Sequence, residues 1–154
     1  MLPSSLTLLH VLASIIWVGG MFFAHQCLRP AAIAVLEPPQ RLALWRGVFG
    51  RFFPWVWGMV LVLLISGQWM IMQRGGMAVM PPHVHIMLGL GYVMAAIYVY
   101  LYFQPYAALK RGVAAGDWQA AAAALNRIRV LVGINLTLGL ICTAAAFLLP
   151  GISL

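Results

Sequence analysis

The chain has 154 residues, 64% of them hydrophobic and 7% charged, with a net charge of +7. An ordinary soluble domain carries roughly 25% charged residues, so a soluble fold of this size could not hide so much apolar surface, and lipid is the expected solvent for most of it. The length allows one domain, residues 1–154, and the nine Lys and Arg fall between hydrophobic segments, where they set topology and meet anionic headgroups; nucleic acid is not an expected partner.

The first predicted span covers residues 5–27 and contains no charge. No Lys or Arg precedes Arg29, and the apolar stretch is too long for a signal-peptide core, so an uncleaved first span is expected. Pro30, Pro38 and Pro39 mark the first connection. Residues 40–52 then place Leu42, Trp45, Val48, Phe49 and Phe52 at helical spacing, with Arg41, Arg46 and Arg51 among them. This pattern predicts a short amphipathic helix at the membrane interface. The second span is expected over residues 53–72, with Pro54 in its first turn, and the third over residues 82–103, starting at Pro82. The fourth is expected over residues 130–149, stopped by Pro150 and Gly151. Asp117 is placed to cap a preceding Ala-rich helix that runs straight into it.

The fold class that follows is all-α, a four-helix transmembrane bundle. Arg29, Arg41, Arg46 and Arg51 follow the first span, and Lys110, Arg111, Arg127 and Arg129 follow the third, whereas Arg74 follows the second. This bias places both termini outside, in the periplasm, for a multi-pass protein of the bacterial inner membrane. Cys27 and Cys142 then lie at different depths on different helices, so no disulfide is expected.

Polar groups inside spans are costly unless they have work or partners. His10 lies in the outer half of the first span, and His83 and His85 lie at the outer start of the third, so three of the four histidines share one face; His25 is expected alone near the inner face. Met70, Met72, Met77, Met80 and Met87 surround the second connection. Imidazole and thioether together favour copper, Cu(I) above all, and the scarcity of carboxylates argues against magnesium, calcium or manganese. The candidate metal ligands are His10, His83, His85, Met80 and Met87. Residues two apart point about 200° away from each other on a helix, so either one of His83 and His85 looks inward or the helix frays at Pro82.

Ser14 follows His10 by four residues and Gly89 follows His85 by four, leaving room beside each imidazole. His10 with His85 is therefore also a candidate pair of axial ligands for haem b, as facing histidines in a bundle can be, with Arg74 placed to meet a propionate and Asn135 behind the ligands. Asn135, Thr137, Ser66, Gly67, Gly19 and Gly20 otherwise suit close helix contacts, and Trp17, Trp55, Trp57 and Trp69 suit core or interface positions. No Ser-His-Asp set, Cys-x-x-Cys, P-loop or Cys-x-x-Cys-His is present, so no catalytic residue is assigned. The one enzymatic reading is a haem-linked membrane oxidoreductase.

Three segments, LHVLASIIWVGGMFF (residues 9–23), HVHIMLGLG (83–91) and RIRVLVGINL (127–136), together resemble the copper-resistance protein D (CopD) family, a likeness that covers most of the chain. The resemblance implies an inner-membrane protein of copper uptake or homeostasis, with His10, His83 and His85 carried over as its polar site. The layout is also similar to the HemJ-type protoporphyrinogen oxidases, which are linked to haem b. Their third span opens approximately His-Val-Lys, where this chain has His83, Val84 and His85; the missing lysine counts against oxidase activity and leaves haem binding open. An accessory membrane protein without a cofactor is the third reading. So small a bundle has little room for a transport pathway, which keeps a homodimer interface in view.

Overall fold

The helix that begins the chain does not stop at the first cation. In the computed structural model, which describes residues 2–148, α1 (Leu2–Phe22) passes through a π-helical turn, Phe23–Leu28, into α2 (Arg29–Val35). Pro30 supplies a reason for the turn. It has no N–H to donate, and its ring presses on the carbonyl four residues back. The helix widens ahead of it, and the Arg29 N–H reaches the Ala24 carbonyl, five residues away.

Leu36 and Glu37 alone separate α2 from α3 (Pro38–Gln73). A capping box fixes the start of α3: Glu37 accepts from the Gln40 N–H, and the Gln40 side chain accepts from the Glu37 N–H at 3.1 Å. Gly75 and Gly76, at φ of 98° and 88°, end it in a left-handed turn in which the Gly76 N–H reaches the Ile71 carbonyl at 3.0 Å. Residues 40–52, expected as a separate helix, are instead the first part of this 36-residue helix. Leu42, Trp45, Phe49 and Phe53 form one unbroken buried stripe across the expected boundary, and Pro54 sits inside the helix without ending it.

A 3-10 turn, Met77–Val79, leads to α4 (Pro82–Leu101). A second π-helical turn, Tyr102–Tyr106, again contains a proline, Pro105, and joins α4 to α5 (Ala107–Ala115). Gly116, at φ 70°, closes α5, and Asp117 opens α6 (Trp118–Leu148) by accepting the Ala120 N–H at 2.9 Å, the expected cap. Residue 149 and the stop at Pro150 and Gly151 lie outside the described residues.

Among the described residues, four apolar rods result: Ser5–Val35, Pro38–Gln73, Pro82–Ala115 and Trp118–Leu148. Each is longer than the roughly 20 residues needed to cross a bilayer; at 1.5 Å per residue α3 reaches about 54 Å. The rods alternate in direction around a ring. His10 meets Ser66 and Phe52 lies against Gly20, pairing rods one and two head to tail. Tyr98 bonds to Phe53, Asn135 to Met94, and Gly139 lies against Val18, which closes the ring two–three, three–four and four–one.

An aromatic column fills the axis toward the α5 end. Phe49 and Phe53 stack at 4.9 Å, Tyr106 meets Phe53 edge-on at 4.8 Å, and the Tyr98 hydroxyl donates to the Phe53 carbonyl at 2.8 Å. Trp17 is buried beside this column and Trp57 packs on Tyr98 and Tyr102, whereas Trp55 and Trp69 are exposed. Large apolar side chains, Ile15, Ile65 and Phe147 among them, are exposed along the rods. Few residues of each span are fully buried, and the large exposed apolar side chains suit contact with lipid. The chain is a multi-pass membrane protein.

Candidate functional site

Polar side chains within the apolar rods gather at two ends and a centre. At the end that holds the start of α1, the imidazole of His10 lies 2.8 Å, Nδ1 to Oγ, from Ser66 of α3. Ser66 is itself buried and donates its hydroxyl proton back to the Val62 carbonyl. A hydroxyl has one proton to give. With that proton committed to Val62, Ser66 accepts from His10, whose Nδ1 carries the hydrogen and whose Nε2 keeps an open lone pair. This is the tautomer a metal ligand needs, fixed by a partner behind the ring.

The room beside His10 comes from Gly67 on the neighbouring rod, where an added Cβ would lie 3.4 Å from the ring. Ser14 turns away and donates to the Val11 carbonyl at 2.8 Å. One helical turn from the His10–Ser66 contact, the Thr7 hydroxyl donates to the Met70 sulfur at 3.4 Å. His10 and Met70 thus share the seam between α1 and α3. Ser66 was read as a packing residue, and Met70 was named in the methionine cluster of the second connection but not among the candidate ligands. The sequence signal for them was the i, i+4 spacing of serine and methionine facing a histidine, legible once the pairing of the two rods is known.

At the start of α4 the helix is regular from Pro82, so His83 and His85 diverge. His83 is half-buried, and His85 is exposed, its Nδ1 lying 3.3 Å from the Pro81 carbonyl. Because a carbonyl can only accept, His85 also carries its proton on Nδ1 and leaves Nε2 open. Met80 and Met87 are half-buried, and the Met87 carbonyl lies 3.8 Å from the Cys142 sulfur. Among the described residues no group of three or more His, Cys, Asp or Glu converges on a point. His10, His83 and His85 share an end of the bundle without forming such a group. Cys27 and Cys142 are both free thiols. Arg74 caps α3 and is exposed beside the glycine turn.

Asn135 lies at the centre, buried, with its amide donating to the Met94 carbonyl of α4 at 3.1 Å. Its Oδ1 is buried with no partner among the described residues, and Asn135 lines a small cleft with Trp17, Phe53 and Tyr98. Thr137 bonds to its own helix at the Gly133 carbonyl.

The far end holds His25, expected there alone. It shares a cleft with Arg29 and Arg129, its ring lying 3.4 Å from where a Cβ on Gly133 would stand. The sequence hid this grouping because Arg129 arrives from the fourth rod.

The family model described as copper resistance protein D matches residues 46–149. No curated protein and no solved structure matches the chain.

Proposed function

The chain belongs to the CopD family, and from that premise we propose that it binds copper in the bacterial inner membrane, at the outer end of the bundle, in uptake or homeostasis of the metal. The observation that carries this reading is the His10–Ser66 contact, which leaves the His10 Nε2 lone pair open within the α1–α3 seam. The Met70 thioether on the same seam, and His83, Met80 and Met87 at the start of α4, supply the imidazole and thioether donors that Cu(I) prefers. Eight of the nine cations lie at the other end of the bundle, which supports placing this end and both termini in the periplasm. In this scheme Ser66 is a positioning residue: it holds the ring and the tautomer and does not touch the metal.

Haem b is the second reading, because an imidazole held at Nδ1 serves an axial bond as well as a copper bond. The exposure of His85 favours copper over a haem gripped between His10 and His85 inside one bundle.

The deciding experiment is Cu(I) titration of the purified protein against a competing chelator, with metal analysis and a visible spectrum on the same sample. His10→Ala is expected to abolish tight binding. Ser66→Ala is expected to weaken it by about tenfold while leaving the helix content unchanged. Copper affinity unaltered in His10→Ala and in the His83→Ala/His85→Ala double variant would sink the copper reading, and a Soret band in the untreated protein would replace it with haem b.

A further inference from the structure

Rods one and four each bring an arginine into one cleft at the cation-rich end of the bundle. Arg29, Arg129 and His25 line this cleft together with Trp45, Phe49 and Val132. Both arginine Nε atoms are buried, and neither has a hydrogen-bond partner among the described residues. Arg29 and Arg129 bring two like charges to the lining of this one cleft. The chain has two carboxylates to offer, Glu37 and Asp117, and both serve helix caps.

This arrangement is costly as it stands. Buried N–H groups without acceptors lose their hydration and gain nothing for it, and two like charges in one cleft repel each other. An oxyanion between them removes both penalties at once. Guanidinium presents its donors as a flat fork matched to phosphate oxygens, and a phosphate group has enough oxygens to bridge two such forks. The backbone adds a separate observation. The π-helical turn Phe23–Leu28, which holds His25, lies directly before Arg29, and such turns interrupt α-helices frequently at functional sites.

We propose that this cleft is a phosphate site in which Arg29 and Arg129 bridge one phosphate group and Trp45 and Phe49 cover the carbons attached to it. Basic pockets between transmembrane helices suit anionic lipid headgroups, and an apolar floor beneath the charges suits a phosphodiester with acyl chains. A soluble phosphate shares the charge and the oxygens and lacks the chains.

The test uses the full chain in detergent, with retention of phosphatidylglycerol measured by native mass spectrometry and thermal unfolding followed with phosphatidylglycerol or inorganic phosphate added. Arg29→Gln and Arg129→Gln are each expected to weaken binding by about tenfold. Arg127→Gln removes the same charge from an exposed position on the same helix and is expected to leave binding unchanged. Arg129→Lys keeps the charge without the fork and is expected to fold and bind with intermediate strength, which covers the case of a Gln variant that fails to fold. Stabilisation by the lipid alone assigns the site to a headgroup, and equal stabilisation by inorganic phosphate assigns it to a soluble ion. Equal losses in Arg127→Gln and Arg129→Gln, or binding of neither probe, overturn the proposal.

Discussion

A hydroxyl with one proton decides what His10 can do. Ser66 gives that proton to the Val62 carbonyl and so receives one from His10 Nδ1, leaving Nε2 open. Asn135 obeys the same accounting with a different result, because its amide nitrogen is satisfied by Met94 while its oxygen is not. Asn135→Ala is expected to cost about 1 kcal/mol, the scale of a hydrogen bond between helices in a membrane. The cost is small because the change also removes the unpaired oxygen. Reversible unfolding in mixed detergent micelles measures it, and a loss several times larger would mean that the Oδ1 has a donor in the membrane. His10 was legible in the sequence as an imidazole within an apolar span. Ser66 was legible only as a packing residue, since its partner lies 56 positions away.

At the scale of elements, glycines decide how closely two rods approach, and their tolerance depends on what they meet. A Cβ on Gly112 would stand 2.9 to 3.0 Å from backbone and Cβ atoms of Ala121, at the hairpin between α5 and α6. A Cβ on Gly20 would meet the ring of Phe52, a half-buried side chain. Backbone cannot step aside and a ring can turn. Gly112→Ala is therefore expected to destabilise the bundle by about 1–3 kcal/mol and Gly20→Ala by less, as read from unfolding midpoints; the reverse order would contradict this packing. Helix starts were readable from the chain, with Pro82 and Asp117 both at the positions their chemistry predicts. Helix continuity was not. Pro30 read as part of a connection, and the rods absorb both it and Pro105 at π-helical turns because packing on both sides of each proline holds the axis.

The whole molecule is polarised, with His10, His83, His85 and the methionines of the second connection at one end and eight of the nine cations at the other. That polarity yields a topology prediction. In a chain with Cys27 and Cys142 replaced by alanine, Ala78→Cys is expected to react with an impermeant thiol reagent in intact cells. Ala115→Cys is expected to react only after lysis. The opposite pattern would invert the positive-inside assignment and put the arginine cleft outside. The same polarity separates the two proposals physically, since loss of copper at His10 and loss of phosphate at Arg129 are measured at opposite ends.

Composition pointed to lipid as the solvent, because a soluble fold of 154 residues could not cover 64% hydrophobic ones, and four long apolar segments made the bundle all-α. The segments over residues 9–23, 83–91 and 127–136 pointed to the family that the match over residues 46–149 establishes. Tertiary structure decided the rest: that residues 40–52 belong to a spanning helix, that His83 is half-buried and His85 exposed, and that His25 shares a cleft with two arginines. The reason is the same in each case. Hydrophobicity and capping are properties of a single segment, whereas neighbours across a bundle are set by the rotation and register of one rod against another, which no local stretch of chain encodes.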